Sequence, residues 1–225
     1  MTQEPQNPGR RQLLAAVVLA DADSLFQRLR QPKVDSYREW FEAVRVDDVR
    51  RVQALLARGF DPNSVEPERF DTALILSVRL KSSKVFSALL QAPDVNLNAR
   101  SLNGDTALMI AAYLPDIPRA LALITKGVEI NRPGWTALHY AAASGSIPII
   151  QRLLDESAFI DAESPNKTTP LMMAARSGHA AVVKLLLEEG ADPTLKNEAD
   201  MLAADFARAQ GFKELARLLD AKAQP

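Results

Sequence analysis

The feature that most constrains this chain is a constant offset. GWTALHYAAASGSIPIIQRLLDESA (134–158) can be written above TTPLMMAARSGHAAVVKLLLEEGA (168–191). Thr136 then falls on Thr169, Leu138 on Leu171, Ala141-Ala142 on Ala174-Ala175, Gly145 on Gly178 and Leu153-Leu154 on Leu186-Leu187, always 33 residues apart. The same opening stands upstream at Thr72 (TALILSV) and Thr106 (TALMIAA), and Ala204, Gly211 and Leu218-Leu219 continue the phase downstream. A period of this length marks units that cannot bury an apolar face alone and do so by stacking. The 225 residues are therefore an array, not one or two independent globular cores.

Each unit reads as two helices. Thr169 suits an N-cap, its hydroxyl accepting from an orphan helix N–H, and Pro170 follows at the first helical position, where its missing N–H costs nothing. Ala174 and Ala175 are small enough for close packing, and Gly178 suits the left-handed residue that ends a helix. Val182, Val183, Leu186 and Leu187 then give a second helix its apolar face, and Gly190 closes it before Ala-Asp-Pro opens a loop.

The openings TALHYAA at 136–142 and TPLMMAA at 169–175 resemble the T-P-L-H-x-A signature of the ankyrin-repeat family, whose unit is a turn plus two antiparallel helices. The resemblance implies an all-α solenoid with short hairpin-like loops, covering residues 36–222 in about six units that start near 37, 70, 104, 134, 167 and 198. The first and last units lack the Thr opening, as expected of caps whose outer faces meet water. The spacings between successive Thr residues are 34, 30 and 33 (106−72, 136−106, 169−136). The loop before Thr136 is thus three residues short, with Arg132-Pro133-Gly134-Trp135 at its tip. Lys81 and Pro115 stand where other units have the inter-helix Gly, which predicts local irregularity there.

Residues 1–22 have a different character. Arg10-Arg11 precede the apolar run Leu13–Ala20, and Ala20-Asp21-Ala22 has the form of a signal-peptidase site, the layout of a secretory leader. Leu14, Val18, Ala22 and Phe26 also recur at helical spacing, so a retained capping helix stays open, with 23–35 as linker or cap. A cleaved leader implies a periplasmic or secreted protein, a retained one a cytoplasmic protein. With the leader, the chain resembles the small exported ankyrin proteins of bacteria.

The chemistry available is narrow. There is no Cys, which removes thiolate catalysis and Cys-based zinc sites, and only two His, His139 and His179. Lys plus Arg number 27 against 28 acids with no basic stripe, so nucleic acid is an unsuitable partner. No stretch reaches the length of a membrane span. No phosphate-cradling or hydrolytic motif is present, and neither an enzyme nor a cofactor or metal is expected. In the resembled family the His of T-P-L-H hydrogen-bonds backbone across repeats, which implies a structural His139. Met172 takes the same phase one unit later and fills space.

Function is therefore expected on a surface, and the family geometry implies the concave face. Leu76, Ile110, Tyr140 and Met173 would point into that groove, with Arg79, Tyr113, Leu114 and Arg176 lining it and Arg132 and Trp135 at its rim. An aromatic centre edged by Arg is the composition of a protein-binding patch. Tyr140 and Trp135 have the alternative of packing against neighbouring repeats. The resulting expectation is a monomeric scaffold that binds another protein through Tyr113, Leu114, Arg132, Trp135, Tyr140, Met173 and Arg176. An accessory factor for a periplasmic enzyme, or an effector- or immunity-type inhibitor, remains open.

Overall fold

The computed structural model describes residues 34–224, so the leader of residues 1–22 and most of the linker lie outside the described residues. Twelve helices follow in six pairs: α1 (Val34–Arg45) with α2 (Val49–Ala57), α3 (Ala73–Arg79) with α4 (Ser83–Leu89), and α5 (Ala107–Tyr113) with α6 (Ile117–Thr125). Then come α7 (Ala137–Ser144) with α8 (Ile147–Asp155), α9 (Pro170–Arg176) with α10 (Ala180–Glu188), and α11 (Ala203–Ala209) with α12 (Lys213–Lys222). No described helix is long and apolar enough to cross a membrane.

Helices of seven to twelve residues are too short to persist alone in water, so their stability comes from neighbours. First helices stack on first helices from α1 through α11, and second helices pack in a row outside them. The Ala pairs make this stacking close: Ala111, Ala112, Ala141, Ala142, Ala174 and Ala175 are all fully buried. The inner helices α3, α5, α7 and α9 begin at their predicted Thr caps. Thr72, Thr106 and Thr169 accept from the N–H three residues on, at 3.4, 3.3 and 3.4 Å. In the last unit the missing Thr is replaced by Asp205, whose carboxylate reaches back to the N–H of Leu202 at 2.9 Å.

Two rows of polar contacts tie one unit to the next. On the loops, the side-chain oxygens of Asn63, Asn98 and Asn131 accept from the N–H of Asn96, Glu129 and Phe159 at 2.7–2.9 Å. Asp161 continues this ladder by accepting from Asp192 at 3.2 Å. At the inter-helix turns, Ser82 donates to the Val44 carbonyl, Ser144 to that of Ala112, and His179 Nε2 to that of Ala143, at 2.7–3.0 Å. The turn contacts satisfy carbonyls at the ends of first helices, and the loop contacts satisfy backbone N–H groups between the helix pairs.

The inter-helix turn demands a left-handed residue in every unit. Gly145, Gly178 and Gly211 supply it at φ of 77°, 73° and 83°. Lys81 is forced to 59°. Two of the glycines serve a second need. A Cβ on Gly145 would meet the His179 ring at 2.8 Å, and one on Gly178 would meet the Phe212 ring at 2.5 Å. The rings of His179 and Phe212, which open α10 and α12, thus lie on the glycine of the unit before.

The loops form a row of fingers. Three close on the same four-residue step, Ser101 N–H to Asp105 O, Ser164 to Thr168 and Asn197 to Met201, and a fourth on a step one residue longer, Glu66 to Asp71, at 2.9–3.1 Å. Neighbouring tips join where Leu102 donates to the Arg69 carbonyl (2.7 Å) and Glu198 to that of Asn166 (3.1 Å). The shortened finger at 131–135 makes neither kind of bond among the described residues, so it leaves a notch in the middle of the row.

The turn geometry predicts opposite signs for two substitutions. Gly178→Ala should destabilise by about 2–3 kcal/mol through clash and a left-handed Cβ, whereas Lys81→Gly should stabilise by about 0.5–1 kcal/mol. Urea unfolding of each variant checks both, and two shifts of the same sign would contradict the account.

Candidate functional site

An opening on the inner face lies over units two to four. It is a cavity of about 350 Å³ lined by Arg69, Arg79, Asp105, Ile110, Tyr113, Leu114 and Tyr140. The fingers supply Arg69 and Asp105, and the inner helices α3, α5 and α7 supply the rest. A second cavity of about 330 Å³ adjoins it between two fingers, sharing Arg69 and Arg79 and adding Ser101, Leu102 and Asn103.

The cavity is held open by a polar network across three units. The Arg79 guanidinium binds the buried Asp71 carboxylate through Nε at 2.6 Å and reaches Asp105 through Nη2 at 3.5 Å. The Tyr140 hydroxyl donates to the other side of Asp105 at 2.6 Å. Burial pushes the Asp71 carboxyl above its usual range, against the lowering effect of Arg79. Burial and the neighbouring Asp105 carboxylate push the Tyr140 phenol well up, so it remains a donor at any ordinary pH. The ring of Tyr113 stands edge-on to that of Tyr140, with centroids 6.1 Å apart, and is 59% exposed. An aromatic ring left this open on a concave face is suited to covering by a partner.

The residues expected in the site separate into two groups. Tyr113, Leu114 and Tyr140 converge on the cavity, with Arg79 and Ile110. Arg132, Trp135, Met173 and Arg176 do not line it. Trp135 is half-buried and packs edge-on to His139 and Tyr140 of its own unit, at 5.1 and 6.4 Å. Arg132 is half-buried, points a guanidinium nitrogen at the Met109 sulfur (3.9 Å), and has its pKa lowered by burial. Met173 packs on the core, and Arg176 is exposed at the end of α9, beyond the cavity. Leu76 and Ile110 were expected to project into the groove, yet they are only 8% and 4% exposed. Short aliphatic chains at this phase end beneath the rim that longer Tyr and Met chains reach, so Ile110 serves as floor and Leu76 as core.

Sequence reasoning missed Arg69 and Asp105. Both lie on fingers of unequal length, where the repeat phase gives no register. The signal that could have found Asp105 is its position next to the capping Thr, shared with Asp71.

The two histidines are structural in geometry. His139 is fully buried; its Nδ1 accepts from the Thr136 N–H (3.2 Å) and its Nε2 donates to the Thr168 carbonyl of the next unit (2.8 Å). Burial holds its pKa down at about 4. Among the described residues, no cluster of three or more His, Asp and Glu is placed to hold a metal ion.

The ankyrin-repeat family model matches residues 40–133 and 116–197, and the chain belongs to that family. It is 30% identical to the human transient receptor potential cation channel subfamily A member 1 over 167 residues, 68% of this chain and 15% of the channel subunit. It is 42% identical over 101 residues to zygote-specific protein 3 of Chlamydomonas reinhardtii, covering 44% of this chain and 26% of that one. It is 39% identical over 85 residues to the human NAD-capped RNA hydrolase NUDT12, covering 37% of this chain and 18% of the hydrolase. The likeness to the hydrolase runs through its ankyrin region. The chain spans a quarter or less of most of these relatives, so what is shared is the repeat. Ankyrin repeats mediate protein–protein interaction, and the family is typically non-enzymatic.

His139 gives the site region a defined pH response. Its folded pKa lies below the unfolded value, so the unfolded state binds the extra proton and stability falls as pH drops from about 6.5 towards 4. The loss reaches about 3 kcal/mol at the acid end. Asp71 and Asp161, with raised pKa values, act in the opposite sense, but equally in a variant that keeps them. Chemical unfolding from pH 7 to pH 4 should therefore fall less steeply for His139→Gln than for the parent. Parallel curves would contradict the assignment.

Proposed function

We propose that the chain is a non-enzymatic scaffold that binds another protein through the inner groove over units two to four, as a monomer. The observation that carries this reading is the exposed Tyr113 ring above an open cavity whose walls come from three different units. Walls built from several repeats present a wide and rigid surface, and an aromatic anchor beside Arg is what interface hot spots are made of. The reading moves the centre of the site towards the N-terminal side of the one that the sequence suggested, with Arg69 and Asp105 added and Arg132, Trp135, Met173 and Arg176 left at its margin.

The test is capture on immobilised full-length protein from a lysate of the source cells. Tyr113→Glu should reduce recovery of the specifically retained protein by at least about tenfold, the scale expected of a hot spot. The control Lys184→Ala, exposed on the outer helix α10, should leave recovery unchanged. Recovery insensitive to Tyr113→Glu would place the binding surface elsewhere.

Residues 10–22 support a separate proposal, that the chain is exported and loses its first 22 residues. Mass spectrometry of protein from fractionated cells should then find Asp23 at the N-terminus in the periplasmic fraction. An intact Met1 confined to the cytoplasm would contradict it.

A further inference from the structure

The two adjoining cavities differ in chemistry. The first is floored by Ile110 and walled by Leu114, Tyr113 and Tyr140, so it suits an apolar side chain. The second is lined by Arg69, Arg79, Ser101, Leu102 and Asn103, with no carboxylate. Together their walls present two guanidiniums against the single carboxylate of Asp105.

The two arginines are not equivalent. Arg79 is already committed to Asp71 and Asp105. Arg69 is exposed and enters no ion pair among the described residues. Its backbone, by contrast, is pinned on both sides: its N–H donates to Glu66 Oε1 at 2.6 Å, and its carbonyl accepts from Leu102 at 2.7 Å. The buried Glu66 carboxylate is turned inward on the N–H groups of Glu68 and Arg69, so it holds the finger in shape. A fixed backbone carrying an uncommitted guanidinium is pre-organised for an incoming anion. Beside it, the Ser101 hydroxyl accepts from the Asp105 N–H (3.2 Å) and keeps its own proton to donate. The Asn103 amide stands exposed on the same wall.

Building on the groove reading, we infer that the partner segment is a linear acidic peptide. It seats an apolar side chain between Tyr113 and Leu114 and sets a neighbouring Asp or Glu carboxylate on Arg69, with Ser101 and Asn103 as further donors. One uncommitted guanidinium matches one negative charge. Arg79, shared between two carboxylates, has none to spare for the second charge of a phosphate, so a side-chain carboxylate is the fitting anion.

The experiment is selection of a displayed library of random 12-residue peptides on the full-length protein. Fluorescence anisotropy then follows with synthetic versions of the best binder: the acidic form, its Asn/Gln form and a phosphoserine form. Selected peptides should carry an acidic residue beside an apolar one, and the acidic form should bind at least about tenfold tighter than the amide form. Arg69→Ala should abolish that difference, while Tyr113→Ala should weaken both forms alike; circular dichroism confirms that both variants fold. An amide form that binds equally well, a difference that survives Arg69→Ala, a tighter phosphoserine form, or a library without binders would each overturn the inference. If the selected peptides depend on Tyr113 but not on their carboxylate, the groove reading stands and only the acidic partner falls. If their binding is indifferent to Tyr113, the groove reading falls with it.

Discussion

In each junction from unit two's loop onward, a unit hands one side-chain oxygen to the backbone of the next, and the rest of the molecule depends on that hand-over. Asn63, Asn98, Asn131 and Asp161 accept from the following loop, and His139 and His179 donate to carbonyls on an adjoining unit. Helices of seven to twelve residues gain little from their own hydrogen bonds. They are stable because alanine pairs let neighbours approach closely and because the polar ladder fixes the register of that approach. Apolar burial supplies most of the free energy, and directional bonds decide which unit face meets which.

That division explains where the array can vary. The ladder and the alanine stack are repeated, so substitutions there would affect every similar junction in the same way. Apart from the ladder residues, the fingers and the inward tips of the first helices are where the units diverge. Unit two contributes a long finger with Arg69, unit three an Asp105 that serves Arg79 and Tyr140 together, and unit four a shortened finger that leaves a notch. The candidate groove is assembled from three unlike units on a regular frame, so its shape belongs to no single unit.

The period made the frame legible in the sequence. Thr caps, the N1 proline, the alanine pairs and the glycine turns follow from reading one unit and stepping by 33, and the cross-repeat role of His139 follows from the resemblance to the ankyrin family. The site was legible only in part. Tyr113, Leu114 and Tyr140 sit on helices, where phase fixes direction, and they converge as the family geometry implied. Arg69 and Asp105 sit on fingers whose lengths differ by up to four residues between units two and four, so stepping by the period loses them. Trp135 and Arg132 were drawn to the rim by the same shortened finger, but the shortening pulls them onto His139, Tyr140 and Met109 instead. Leu76 and Ile110 show that phase gives direction but not reach.

The central claim is that the inner face over units two to four is the binding surface. Hydrogen–deuterium exchange of the full-length protein, free and in complex with its captured partner, tests this most directly. The account predicts new protection confined to the fingers around Arg69 and Leu102 and to the ends of the inner helices near Tyr113 and Tyr140. Protection on the outer helices α6, α8 and α10, with the inner face unchanged, would contradict it.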